Sequence, residues 1–578
     1  MAKARQVQRT VIAFWLWWGV LHFLLFVPNY LLYSQEATFW PSTTLEGGNT
    51  LGTLRILFLR NNQDIFRLCG DWAVLSFLLW LGWNGKKWWN IATWWGAVFY
   101  LLLFVYNTYW VFYQNVYHAQ PRFADDYLLV KEVLPVFLKG IGMGRTGIYI
   151  GAIVGFLFLL VILIGAYAKW IRLAARMRIT RGAMAMWILM FAFIGAGTWK
   201  YRAGHFPSIW QTVQWFGPRI WQSMRPLQVV NAHQGPFFHL LRANMLKPLA
   251  YKPNVYLVFV EAYGSVVAVS PYTRDRFRSY VDSLAEQLRC EGILTATRYS
   301  RSPVIGGRSW LAFTSAMTGL WLEHHADYDR LLDYKGVYPH LVAFFNAHGY
   351  ATTRISTMKA DKSIDSLIPL DRINRFFRFA HWLRWDDIPY RGYPYNPFGG
   401  IPDQYSLEYY FEKVAQADPR PDFLFFITTN SHAPWYLPPP VLTNWHLLDT
   451  IRHSPHGSWW ALPKGMMQRY YQSIAYQLGM LAQFAQTHLG PDDLLIVVGD
   501  HQPPGISHTY ELVDAHATPV HVFSRRPALW KYLLDEGFTG GLYRGEDQRA
   551  MWRHDSLAWW LETLLLEFEP DGETLTSD

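Results

Sequence analysis

Five long apolar runs in the first 200 residues restrict this chain more than any other feature. They cover Val11 to Tyr33, Ile65 to Trp83, Trp88 to Tyr113, Ile148 to Ala168 and Ala183 to Trp199. A helix of about 20 apolar residues spans a bilayer, because it satisfies its own backbone polar groups where no water can. The second run is the weakest, since Arg67 and Asp71 interrupt it. The first is too bulky, too rich in Trp and Phe, and too poor in small residues at its end to be a cleaved signal peptide. Five crossings put the N-terminus and everything beyond Trp199 on opposite sides. Basic residues cluster at 3–9, at Lys86 and Lys87, and from Lys169 to Arg181, all on one side of such a bundle. The positive-inside rule makes that side the cytoplasm. Trp at the run ends is expected to form an aromatic belt. The amphipathic stretch 123–141 is expected to lie on the outer surface.

The remainder reads differently. Of 578 residues, 17% are aromatic and 16% charged, but past residue 200 the pattern is that of a globular protein. The net charge of +9 gathers in short loops beside apolar runs and needs no nucleic acid to explain it. Zinc-finger spacing, RNP motifs and long basic tails are absent, which excludes the common nucleic-acid binders. Two cysteines, Cys69 and Cys290, cannot build a disulfide framework. The expected organisation is a transmembrane domain over 1–200, a linker over 201–252 with Pro and Trp, and a globular domain over 253–578.

Three apolar runs in that domain read as strands buried on both faces: Val255 to Val260, Phe423 to Ile427 and Leu494 to Val498. Helical patterns separate them, for example Tyr272 to Cys290 and Met467 to His488. The fold class is α/β, with a mostly parallel sheet covered by helices. Each strand runs into polar residues: Glu261, then Asn430-Ser431-His432-Ala433-Pro434, then Gly499-Asp500-His501. Ligands bind at the carboxyl ends of such strands. Carboxylate and imidazole donors converging there are what a metal such as Zn or Mn requires. Asp500-His501 alone would read as a surface turn. Gly306-Gly307-Arg308-Ser309-Trp310 precedes a helix-like stretch, Leu311 to Met317, so Ser309 sits near a helix N-terminus, where backbone N–H groups favour a phosphate. By itself Ser309 reads more readily as a plain N-cap.

In that order, these motifs resemble the alkaline phosphatase/sulfatase superfamily, and within it the membrane-bound lipoteichoic-acid synthase and phosphoglycerol transferase branch. The resemblance implies five membrane helices before an extracytoplasmic sulfatase-like domain. It implies one divalent cation (Mn, Mg or Zn) held by Glu261, Ser309, Asp500 and His501, with Ser309 also the catalytic nucleophile. Ser309 stands ten residues before Gly319, the register of the sulfatase nucleophile, which favours it over Thr314, Ser315 and Thr318. Substrate contacts fall on His432, on Asp403 in Gly400-Ile401-Pro402-Asp403, and on Arg354. His508 and His521 follow the Asp-His pair as candidates for a second metal, each with a structural reading beside it; His453 and His456 receive no role. Two departures narrow the activity. Ser309 is followed by Trp-Leu-Ala-Phe, not by the x-Pro/Ala-x-Arg that formylglycine formation in a sulfatase needs. Cys290 is the single cysteine of the globular domain, whereas phosphoethanolamine transferases usually carry several disulfides.

The activity so implied is transfer of a phospholipid head group, glycerol phosphate from phosphatidylglycerol, through a phospho-serine to a hydroxyl of an envelope glycan or polymer. A phosphoethanolamine transferase, a phosphodiesterase or phosphatase, and a lipid-binding regulatory pseudoenzyme are the alternatives. The expected location is a bacterial cytoplasmic (inner) membrane, with the catalytic domain outside the cytoplasm.

Overall fold

The computed structural model describes residues 2–32, 69–82, 87–117, 143–177, 181–201, 237–357, 370–395, 400–433, 435, 437–452, 463–505, 512–545 and 552–569. Arg67, the stretch 123–141, most of the expected linker, and His453, His456 and His508 lie outside them. The described residues fall into two compact units, one before residue 202 and one from 237 onward.

The described residues of the first unit form five helices: α1 (Ala2–Leu32), α2 (Gly70–Leu81), α3 (Lys87–Tyr117), α4 (Met143–Arg176) and α5 (Arg181–Tyr201). Two stretches, Asn90–Val111 in α3 and Val154–Arg176 in α4, are long and apolar enough to cross a membrane. The apolar parts of α2 and α5 are shorter. Aromatic residues also pack the interior of this unit. Trp72, Trp80, Trp170 and Trp187 are buried between helices, with Trp72 and Trp170 ring centroids 5.1 Å apart. Large flat rings fill the interior, and some polar edges find partners there: Trp18 Nε1 donates to Ser76 Oγ at 2.8 Å and Tyr100 OH to the Leu21 carbonyl at 2.7 Å. Trp94 and Trp95 are exposed and remain available to an interface.

The second unit is an α/β domain around a nine-stranded mixed sheet. Its strands are β1 (Val255–Val260), β2 (Leu294–Arg301), β3 (Ala351–Ser356), β4 (His381–Arg384), β5 (Asp422–Ile427), β6 (Leu494–Gly499), β7 (Ala517–Ser524), β8 (Thr539–Gly540) and β9 (Trp552–Arg553). The order is β4-β3-β5-β1-β6-β7-β2-β8, with β9 beside β2. Pairing is parallel except where β7 meets β6 and β2 and where β8 meets β2. The three strands legible as apolar runs are the adjacent central ones, β5-β1-β6.

Strand alternation explains why these runs lack polar residues. Val255, Leu257 and Phe259 point into one core with Phe423, Phe425, Ile496 and Val498. Tyr256, Val258 and Val260 point into the opposite core with Leu424, Phe426, Leu495 and Val497. Helices cover both faces. The first core reaches back before Pro253: Phe238 and Leu241 of α6 (Phe238–Asn244) are part of it, and the Ala250 and Tyr251 N–H groups donate to the Leu565 carbonyl. On the second face lies α7 (Arg274–Cys290), whose Phe277, Val281, Leu284 and Leu288 make one apolar stripe.

Candidate active site

Register brings the strand ends together. Phe259 pairs with Ile427 and Val260 with Gly499, so Glu261 and Asp500 are the next residues on neighbouring strands. The approach is close: a Cβ on Gly499 would fall 1.9 Å from the Tyr263 carbonyl oxygen, so only glycine fits. Beside them, α8 (Ser309–Thr318) begins with Ser309. Gly306 and Gly307 have positive φ, and Arg308 enters the helix at φ 65°. The loop is tied to the Asp-His segment by Gly306 N–H donating to the Gln502 carbonyl (2.9 Å) and Ser302 Oγ to the Asp500 carbonyl (2.5 Å).

Ser309 Oγ donates to Glu261 Oε2 at 2.8 Å and lies 3.1 Å from His501 Nε2. His501 Nε2 is 3.6 Å from Glu261 Oε1 and 3.4 Å from Asp500 Oδ2. Four of the seven sequence candidates thus share one small volume, and Glu261, Asp500 and His501 are all buried. Thr314, Ser315 and Thr318, the competing hydroxyls, are fully buried elsewhere on α8.

The donor set fits a divalent cation. Asp500 Oδ1 accepts the N–H groups of Ala262 (2.7 Å) and His501 (2.6 Å), while buried Oδ2 has no hydrogen-bond donor among the described residues. Such an orphaned carboxylate oxygen is costly unless a ligand satisfies it. His501 Nδ1 faces the Gln502 carbonyl at 2.8 Å, which assigns the proton to Nδ1 and leaves the Nε2 lone pair toward the cluster. Burial lowers the His501 pKa and keeps the ring neutral. Burial and the neighbouring Asp500 push Glu261 up to about 7, and burial pushes Asp500 to about 7. Two adjacent buried carboxylates resist ionising together, and a dication would reverse that.

A cavity of about 570 Å³ opens beside Ser309. His432 and Arg354 line it, as do Arg308, Thr357, Trp382 and Arg384, which sequence reasoning missed. Arg308 lay in the Gly-Gly-Arg-Ser motif without a role of its own, and the signal for the others was a strand-like Thr-Thr-Arg-Ile-Ser-Thr and a Trp-Leu-Arg, both too short to stand out. His432 Nδ1 lies 2.6 Å from the Ala433 carbonyl.

Asp403, expected as a substrate contact, is placed apart from this cavity. It does not line the cavity and is 0% exposed at the start of α9 (Asp403–Lys413). Its carboxylate accepts Thr429 N–H (2.9 Å to each oxygen), Thr429 Oγ1 (3.0 Å), Asn430 N–H (2.7 Å) and Gln477 Nε2 (2.6 Å). It anchors the loop that carries His432. His521 is likewise structural: its nitrogens meet Tyr263 OH (2.9 Å) and Thr297 Oγ1 (2.7 Å), and burial lowers its pKa to about 3.

Residues 315–560 match the Sulfatase family model, a span that includes Asp500 and His501 but begins after Glu261 and Ser309. No curated protein matches the chain. Among solved structures, it is similar to the integral membrane protein lipooligosaccharide phosphoethanolamine transferase A (EptA) from Neisseria meningitidis, at 12% identity over 96% of this chain and 94% of that one, TM-score 0.44. It is similar to the lipoteichoic acid synthase LtaP from Listeria monocytogenes, at 14% identity over 50% and 71%, TM-score 0.36. It is also similar to the Streptococcus pyogenes phosphoglycerol transferase GacH in complex with sn-glycerol-1-phosphate, at 11% identity over 60% and 84%, TM-score 0.35.

Proposed function

We propose, from the premise that the globular domain belongs to the sulfatase/alkaline phosphatase superfamily, that this chain is a metal-dependent transferase of phospholipid head groups acting through a phospho-serine at Ser309. The carrying observation is Ser309 Oγ at a helix N-terminus, hydrogen-bonded to a buried carboxylate and imidazole beside Asp500 Oδ2, which has no hydrogen-bond donor among the described residues. Glu261, Asp500, His501 and Ser309 Oγ would hold Mn, Mg or Zn. When bound, the cation supplies a Lewis acid that lowers the pKa of the Ser309 hydroxyl and polarises a phosphoryl oxygen.

Ser309 enters the reaction deprotonated. Its Oγ bonds to phosphorus while the ester bond to diacylglycerol breaks. His432, on the cavity wall, gives a proton to the departing oxygen. In the second half-reaction His432 takes the proton of an acceptor hydroxyl as that oxygen displaces Ser309. Backbone N–H groups in the first turn of α8 face the phosphoryl oxygens, where the helix dipole favours negative charge. The donor is phosphatidylglycerol, and the acceptor a hydroxyl of an envelope glycan or polymer. In this reading the N-terminal helices form five crossings of a bacterial cytoplasmic membrane and keep the domain over 253–578 outside the cytoplasm, beside its lipid donor.

The test is incubation of the full chain in vesicles with head-group-labelled phosphatidylglycerol and, separately, phosphatidylethanolamine. Ser309→Ala is expected to lower diacylglycerol release by a factor on the order of 10⁴ or more and to abolish label on the protein, while the variant stays in the membrane. Undiminished turnover in that variant rejects the reading. Water as the acceptor would appear as free glycerol phosphate.

A further inference from the structure

Both residues that flank Ser309 are fastened to one short stretch that supplies none of the metal ligands. Before Ser309, Arg308 sits in the left-handed region at φ 65° and its Nη1 donates to the Glu323 carbonyl at 3.3 Å. After it, half-buried Trp310 donates its indole N–H to His325 Nδ1 at 3.2 Å. The two rings meet edge to face, with centroids 5.8 Å apart. His325 is 7% exposed and opens the helix His325–Leu332. Accepting at Nδ1 puts its ring proton on Nε2, which lies 3.5 Å from Asp329 Oδ2, one turn further on.

The chain of contacts continues to the far side of the cavity. Asp329 Oδ1 accepts from Arg372 Nη1 (3.1 Å) and the Asp329 carbonyl from Nη2 (2.8 Å), while Arg372 Nε donates to Asp333 Oδ1 (3.1 Å). Arg372 belongs to the helix Leu370–Phe377 and lines the cavity, as Trp310 does. His325 and Asp329 therefore join two cavity walls from behind. Every guanidinium nitrogen of Arg372 has an acceptor inside the protein, so this cation serves the wall and not a substrate. Trp310 spends its one side-chain donor on His325 and can show the cavity only carbon.

We propose that His325 is a positioning residue: by fixing Trp310 it sets the direction of Ser309 Oγ and the spacing between the two walls. The proposal rests on Ser309 as the attacking residue. Without the bond, a half-buried indole is free to turn about its side-chain torsions, and it is covalently next to the nucleophile. Ser309 Oγ must stay within 2.8 Å of Glu261 Oε2 and 3.1 Å of His501 Nε2. A misplacement of about 1 Å costs on the order of 10²-fold in rate.

The experiment is a double-mutant cycle on the full chain, in vesicles of phosphatidylglycerol and, separately, of phosphatidylethanolamine. Diacylglycerol release is expressed per folded molecule, counted from the amplitude of the melting transition. His325→Leu is expected to lower kcat on the order of tenfold with KM within about twofold. Trp310→Phe keeps an aromatic wall, loses the same bond and should lose as much. The double variant should fall no further than the worse single one, because one bond is lost once. His325→Asn, whose Oδ1 takes the place of Nδ1, should restore most of kcat. A residue that only stabilises the fold leaves kcat per folded molecule at the wild-type value, and that result overturns the proposal. So do additive losses, or an Asn variant no better than Leu. If His325→Leu does not fold, Trp310→Phe and His325→Asn decide: loss in the first with retention in the second supports the brace, and wild-type kcat in the first overturns it. The two readings fail separately. If Ser309→Ala abolishes transfer but His325→Leu turns over normally, only the positioning role falls. If Ser309→Ala transfers normally, or neither lipid is turned over, the transferase reading falls, and thermal melts of the same variants decide the brace, additive losses of stability overturning it.

Discussion

Asp403→Asn distinguishes a loop anchor from a substrate contact. The carboxylate serves Thr429 at one oxygen, Asn430 and Gln477 at the other, with the Thr429 N–H shared between both. An amide replaces one acceptor oxygen by an NH₂ group, so either Thr429 Oγ1 or both Asn430 N–H and Gln477 Nε2 lose a partner, depending on which way it turns. Hydrogen bonds to a charged group contribute about 1.5–3 kcal/mol each, and breaking one side of a buried charged network costs about 3–5 kcal/mol. Amide hydrogen exchange over 428–433 reads this directly, since about 1.4 kcal/mol is one factor of ten. Exchange there should quicken by roughly 10²-fold or more. His432 lies two residues beyond Asn430, so turnover should fall with little change in KM for the lipid. A substrate contact predicts the reverse: unchanged exchange and a raised KM. That outcome would refute the assignment of Asp403 as an anchor.

Two further outcomes follow from the buried titratable groups. After removal of metal with a chelator, added Mn, Mg or Zn should raise the thermal stability of the full chain, by about 2.7 kcal/mol at a hundredfold excess over Kd; Asp500→Asn should abolish the increment, and an increment surviving in that variant would remove Asp500 from the ligand set. His340 caps a helix through Nδ1, which accepts from Ala343 N–H at 3.0 Å, and burial lowers its pKa to about 4. The unfolded chain, with its His near 6.5, binds this proton first as pH falls. Stability is therefore full above about pH 6.5 and declines towards pH 4, by about 3 kcal/mol, and His340→Gln should flatten that part of a stability–pH profile.

The central strands were legible in the sequence because helices cover both faces of β5, β1 and β6, which leaves no place for a polar residue. The flanking β2 and β7 were not, and their chemistry explains it. Leu294-Thr295-Ala296-Thr297-Arg298-Tyr299-Ser300-Arg301 carries polar residues that are buried all the same. Thr297 Oγ1 binds His521 and the Gly541 carbonyl (2.7 Å), and Arg298 lies 3.6 Å from the Trp552 ring centroid. A strand whose side chains are satisfied by one another has no apolar signature, since the satisfaction belongs to the pair and each sequence segment shows one half of it. The same holds for Asp403: its residue type is visible, its four-way partnership is not. Arg354 shows the opposite case: its buried Nε and Nη1 have no hydrogen-bond partner among the described residues, a fact that only the packed structure displays.

Asp500-His501 has the composition of an ordinary turn, yet its segment is the hub on which the site is assembled. Asp500 takes the Ala262 N–H, its carbonyl takes Ser302 Oγ, and the Gln502 carbonyl takes the Gly306 N–H. Gln502 reaches further, with Nε2 donating to Ser265 Oγ (2.8 Å) and the Ala517 carbonyl (2.7 Å). These bonds span both segments that contribute the other ligands. Each of those segments contains a non-glycine residue in the left-handed region: Ala262 at φ 57°, directly after Glu261, and Arg308 at φ 65°, directly before Ser309. Such residues cost about 1–3 kcal/mol each and persist only where surrounding structure fixes them. The strain aims Glu261 and Ser309 at a common point, and the Asp500–Gln502 segment supplies the bonds that hold it. Order of motifs along the chain therefore carried so much of the site because each motif is a strand end or helix start braced against this one segment.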